Sequence, residues 1–264
     1  MRRLGRGSLL PGILIALAGC EQTAPFDRDA VLAATIGTTA IYFHRNTGDV
    51  DSLEPLLLDA IRLALDSIGR VVPVTNVQLR VVVLPEAVLP GFGLSGAVDS
   101  SRIDLFLDPT HPNLRLGIAE ALTPTLAHEF HHVLRNRTAG YGTTLLGAMV
   151  SEGLAEHFVI EVTGRPAPWT GSLTQETRGY WRRRAAAIWC SRDFDHAAWF
   201  IATVGDIPRG TGFEVGADIV GEYLAAHPGE RPSALHAAPT RLFLPAELRG
   251  DAVADCWPAD SAGP

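Results

Sequence analysis

Residues 128–132 read His-Glu-Phe-His-His, an H-E-x-x-H spacing, and a further carboxylate stands twenty positions beyond the last of these histidines, at Glu152. On an α-helix His128 and His132 share one face, separated by roughly 40° of rotation and about 6 Å of rise. Two imidazoles so placed can converge on one ion at about 2.0–2.1 Å. Glu129 projects from the next position, where it can take a proton from a water beside that ion. The chemistry this arrangement can perform is metal-assisted hydrolysis. Zinc is the ion these donors favour, although manganese, cobalt or nickel would fit the same ligands.

A catalytic zinc usually takes three protein ligands and keeps a fourth position open. One extended pattern would place Gly and His three and six residues after His132, but Arg135 and Thr138 stand there, so it fails. The other pattern draws a glutamate from a second helix. Glu152 and Glu156 lie four residues apart on such a segment, on one face. Glu152 is expected to bind the ion. Glu156 is expected to accept the outer N–H of a ligand histidine and fix its tautomer, the alternative being a solvated side chain. His131 and His157 are rival ligands, with His131 one residue off the face shared by His128 and His132.

The elements that must hold these groups are legible around them. Thr123-Pro124 offers an N-cap and a first-turn proline for the motif helix, and Gly140 a stop. Residues 143–163 read as the second helix, with Thr143 as cap and Gly164 as terminator. Upstream, Thr38 to His44, Asn76 to Leu84 and Arg102 to Leu107 read as strands, and Asp51 to Ile68 as an amphipathic helix. Gly91 to Gly96 reads as a loop or an edge. From about 174 to 250 the pattern is mostly helical with Pro and Gly breaks. A small sheet ahead of two metal-bearing helices, followed by a helical part, is an α+β layout.

The segments Ala-His-Glu-Phe-His-His and Ser-Glu-Gly-Leu-Ala-Glu-His-Phe, spaced as they are, resemble a bacterial family of predicted zinc-dependent proteases of the gluzincin type, and the His132-to-Glu152 spacing is similar to that of thermolysin-like enzymes. The resemblance runs from about residue 75 to about residue 245. It takes in His196, Trp199 and Phe200, and a Gly-x-x-x-Gly segment from Gly212 to Gly216 in which relatives usually carry Tyr where this chain has Phe213. It implies a zincin-like fold and a peptidase that acts on peptide or protein. Zn2+ would be held by His128, His132 and Glu152, with Glu129 as general base. Of the candidate donors to the oxyanion, His196, Tyr180 and His157, it puts His196 first. In zincins an edge strand beside the motif helix holds the peptide by strand addition; Ile103 to Leu107 or Gly93 to Val98 could serve. The competing class is a non-catalytic metal-binding lipoprotein with a structural or partner-binding role, which would close the site with a fourth protein ligand.

The chain opens with Arg2, Arg3 and Arg6, then runs apolar from Leu9 to Gly19 and meets Cys20 after Leu-Ala-Gly. This is expected to be a lipoprotein signal over 1–19, with Cys20 as the lipid-bearing residue; an ordinary secretory signal is the alternative. Residues 20–35 would be a tether, 36–250 the metallopeptidase domain and 251–264 a C-terminal tail. The product would be exported and attached to a bacterial membrane by lipid only. Loss of residues 1–19 takes the formal charge from 22 − 29 = −7 to 19 − 29 = −10. So acidic a chain is a poor partner for nucleic acid. In an oxidising compartment Cys190 and Cys256 are expected to pair, the alternative being two buried thiols.

Overall fold

The computed structural model describes residues 30–44, 50–245 and 256. Cys20 and the expected signal peptide lie outside these residues, as does the expected tail apart from Cys256. Five strands form one sheet in the order β1-β2-β3-β5-β4: β1 (Ala30–Ile36), β2 (Thr39–His44), β3 (Gln78–Val83), β4 (Leu94–Asp99) and β5 (Arg102–Leu107). β2, β3 and β5 run parallel, and β1 and β4 are antiparallel edges. Helix α1 (Glu54–Gly69) makes the crossover that parallel neighbours require. A partly buried pairing of Arg80 with Asp104, two bonds of 2.7 Å each, locks the register of β3 on β5.

The α+β expectation holds, with some boundaries shifted. The segment expected to be tether through residue 35 instead pairs with β2 from Ala30 onward, so any tether ends before that residue. β5 lies between β3 and β4, which removes Ile103 to Leu107 as an edge and leaves the Gly93–Val98 stretch, now β4, in that place. Gly91 to Gly93 forms the turn ahead of it.

Beyond the sheet, α2 (Leu114–Glu120) abuts α3 (Leu122–Asn136), and α4 (Leu145–Thr163) follows. Thr123 and Pro124 fall inside the first turn of α3 rather than ahead of it, because α2 feeds directly into α3 through Ala121. Pro124 costs nothing there, since first-turn N–H groups have no helical partner. Gly140, in the left-handed region, closes the exit by donating its N–H to the Arg135 carbonyl. The α4 cap is Thr144, one residue later than expected, whose hydroxyl accepts from the Gly147 N–H at 3.1 Å. Gly164 ends α4 with φ 75°, as expected.

α5 (Gln175–Ala186), a π-turn over Ala197–Ile201, α6 (Thr211–Ala226) and two 3-10 turns complete the described chain. One apolar cluster joins the sheet to α1, α2 and α3, and a second joins most of α4 to α5 and α6. α4 is buried on nearly every side and contributes to both. The Gly-x-x-x-Gly segment explains itself in packing terms. A Cβ on Gly216 would stand 2.0 Å from the Met149 carbonyl oxygen, and one on Gly153 2.2 Å from that of Gly216, so glycine lets the α4 and α6 backbones touch. Among the described residues no helix is long and apolar enough to cross a membrane.

Candidate metal centre

Helix α3 presents His128, Glu129 and His132, and α4 presents Glu152, all buried at the seam between the two clusters. His128 Nε2 is 3.0 Å from Glu152 Oε2, His132 Nε2 is 3.2 Å from the same oxygen, and the two nitrogens are 3.1 Å apart. Donors held tetrahedrally at 2.0–2.1 Å from an ion stand roughly 3.3 Å from one another. The triangle in this protein is close to one face of that figure, so the residues fit a metal ion. Three lone pairs aimed at one point would otherwise repel unless a proton came between them. Among the described residues, His128, His132 and Glu152 form the one cluster able to hold an ion.

Electrostatics point the same way. Burial alone would lower the His128 pKa, but the carboxylates of Glu152 and Glu156 outweigh it and raise the ring well above its ordinary value. Burial would raise Glu152, yet His132 and His128 hold it well below the usual carboxylate range. The site draws positive charge. Glu129 behaves differently: burial pushes its carboxyl up, and the pull of His128 and His132 does not cancel the rise. A carboxylate with a raised pKa, beside the His128–His132–Glu152 cluster, holds a proton more readily than an exposed one.

Glu156 lies behind His128, with Oε1 3.2 Å from Nδ1. At that distance the carboxylate helps to raise the His128 pKa. The Trp169 indole N–H donates to the same oxygen at 2.9 Å. On the other flank the Tyr141 hydroxyl donates to Glu152 Oε1, and His196 Nε2 stands 2.9 Å from the Tyr141 oxygen. Tyr141 is folded back over α4 by Gly142, at φ 100°, and its carbonyl accepts from the Ser151 hydroxyl, which Arg135 Nε contacts in turn at 2.7 Å. Neither Tyr141 nor Trp169 was expected. Each reaches in from a loop, where no periodic pattern marks it.

The other candidates lie elsewhere. His131 is fully buried against Phe158, with Nε2 3.3 Å from the Pro232 carbonyl, and burial drives its pKa well below the ordinary value. His157 Nε2 donates to the Ala217 carbonyl at 2.9 Å. Tyr180 is exposed on α5. His196 is stacked on Phe200, with ring centroids 4.7 Å apart, and reaches Glu152 through Tyr141. Cys190 and Cys256 are brought together, their Cα atoms 4.5 Å apart in a disulfide.

A cavity of about 580 Å³ opens beside His128 and Glu129. Its walls include Ser95, Gly96 and Ala97 of β4, together with Trp169, Phe200 and Phe213. Phe213 lies against the His128 ring, with ring centroids 5.9 Å apart. Gly96 is required by the crowding: a Cβ there would meet Glu129 Cγ at 2.6 Å.

A family model described as "Predicted Zn-dependent protease (DUF2268)" matches residues 92–243. The chain is also 33% identical over 164 residues to "Uncharacterized protein YjaZ" of Bacillus subtilis (strain 168), a match covering 58% of this chain and 59% of that protein. The chain thus spans about three fifths of the relative's length.

Proposed function

Because the chain belongs to the family of predicted Zn-dependent proteases, DUF2268, we propose that it is a gluzincin-like zinc peptidase with a zincin-like fold. The observation that carries this reading is the convergence of His128, His132 and Glu152 beside a buried Glu129, at the wall of a cavity. His131 and His157 are both committed to backbone carbonyls, so among the described residues no fourth ligand closes the site. That favours a catalytic over a structural ion, and so over the non-catalytic lipoprotein.

Zinc bound by the three donors would supply Lewis acidity, lowering the pKa of water toward neutrality and polarising the scissile carbonyl. Glu129 accepts the proton of the attacking water at its carboxylate and returns it to the leaving nitrogen. Glu156, held by Trp169, favours the His128 tautomer with its proton on Nδ1, which turns the Nε2 lone pair toward Glu152. Tyr141 fixes the Glu152 carboxylate so that Oε2 faces the imidazoles. His196 is the leading donor to the developing oxyanion; the Tyr141 hydroxyl, whose one proton goes to Glu152, is not a second. β4, with a free edge at the cavity, pairs with an extended substrate. A signal over 1–19 and lipid on Cys20 would place the enzyme outside the cytoplasm, tethered to a membrane, and a Cys190–Cys256 bond suits that oxidising side.

The test combines metal analysis with digestion of a peptide library. About one zinc per chain and cleavage that Glu129→Ala abolishes, with zinc retained, are expected. Wild-type cleavage by Glu129→Ala removes the base assignment. Full zinc content in Glu152→Ala removes the third ligand.

A further inference from the structure

We propose that Arg135 and Ser151 are positioning residues for the metal centre, acting through Tyr141 to keep Glu152 Oε2 turned toward the imidazoles. This rests on the metal-site reading and adds to it a support that ties α3 to α4. Arg135 lies on α3, three residues beyond His132, and is 1% exposed. Ser151 lies on α4 directly ahead of Glu152 and is fully buried.

The direction of each bond follows from what the groups can do. A guanidinium only donates and a carbonyl only accepts. Arg135 Nε donates to Ser151 Oγ at 2.7 Å, so the one hydroxyl proton of Ser151 goes to the Tyr141 carbonyl. The Tyr141 hydroxyl in turn donates to Glu152 Oε1 at 2.5 Å. Tyr141 is therefore held at both ends, by Ser151 at its carbonyl and by Glu152 at its hydroxyl. A helical serine without such a donor beside it turns its hydroxyl to a carbonyl one turn back. The Tyr141 carbonyl would then lose its partner, and the phenol its fixed approach to Glu152.

Arg135 is otherwise a costly side chain to place here. Among the described residues no carboxylate pairs with it; its Nη1 donates to the carbonyls of His236 and Ala238 at 3.3 and 3.0 Å. Burial lowers its pKa to about 10, which leaves it charged at neutral pH. Burying a cation among neutral partners is unfavourable, and the last turn of α3 offsets only part of that. An apolar side chain could fill the same space between the helices. What the guanidinium adds is direction: it makes Ser151 an acceptor on one side and so a donor to Tyr141 on the other.

The test is a cycle of substitutions in the full-length chain, read as zinc affinity by chelator competition. Ser151→Ala leaves α4 a good helix and removes the relay. It is expected to weaken zinc about ten-fold. In a Tyr141→Phe background the same change should cost less than about two-fold, because the relay then ends on a ring with no hydroxyl. Arg135→Met should match Ser151→Ala, and Arg135→Lys, which restores a donor, should fall between it and wild type. The cobalt(II) absorption of these variants should shift as it does in Tyr141→Phe, which a general loosening of the fold would not produce. Equal losses from Ser151→Ala in both backgrounds, or wild-type affinity in Ser151→Ala, overturns the proposal. Wild-type affinity in Arg135→Met and Arg135→Lys removes Arg135 from it. A wild-type chain that takes up no zinc sinks the metal reading itself, whereas equal losses on a chain that binds zinc sink the relay alone.

Discussion

The Tyr141 hydroxyl lies 2.5 Å from Glu152 Oε1, the carboxylate oxygen that does not face the imidazoles, while Oε2 takes both histidines. One phenol thus fixes which oxygen of the acid serves an ion. Tyr141→Phe keeps the ring and deletes the anchor. Its zinc affinity, read by chelator competition, should fall about 10- to 100-fold, the usual scale for partners that orient metal ligands. Unchanged affinity would mean that Glu152 is held by α4 alone.

With Glu129 as the proposed base, its raised pKa would set the acid limb of the rate profile. Below that pKa the carboxyl is protonated and cannot accept a proton; above it the base is available. Burial shifts the value up from 4.5, so kcat/KM should fall with decreasing pH at a point above the ordinary glutamate range. A profile flat down to the unshifted value would contradict a buried base.

Gly96→Ala should damage turnover and spare the metal. The new Cβ would stand 2.6 Å from Glu129 Cγ and 2.9 Å from Thr125 Cγ2, so Glu129 must move while His128, His132 and Glu152 need not. The expected result is a loss of kcat of about 100-fold or more with zinc content near that of wild type. Coupled loss of zinc would show that β4 supports the ligands too.

How much of this could be read from the chain depends on how local the cause is. The His128/His132 pair follows from helical rise alone, and Glu152 and Glu156 from the same rule on the next helix. β5 was expected over Arg102 to Leu107 and is found there, because its residues alternate between buried and half-buried. The α4 cap was misplaced by one residue because Thr143 and Thr144 are chemically equivalent and only the backbone decides between them. β1 was read as tether because Ala-Val-Leu-Ala-Ala-Thr-Ile has no clean alternation; its strand character comes from pairing with β2. Tyr141 and Trp169 act on partners 11 and 13 residues away, from loops whose course is set by tertiary packing.

Helix contact predicts a stability effect at α4 and α6. Gly153→Ala puts a methyl 2.2 Å from the Gly216 carbonyl oxygen, where the obstacle is backbone and cannot swing aside. Destabilisation of about 1–3 kcal/mol or more is expected, measured by chemical denaturation. Gly164→Ala, in open space but at φ 75°, should cost less and act through strain alone.

α4 belongs to both apolar clusters, and the ion position lies where it crosses α3. A cation there would work as a rivet through two plates, one bearing the imidazoles and the other the acid. Withdrawing it would leave the imidazoles to take up a proton against the buried Glu152 carboxylate at the joint between the plates, a weaker tie than an ion bound to all three. Any partner that competes for the ion would then loosen the joint and silence the reaction in one act.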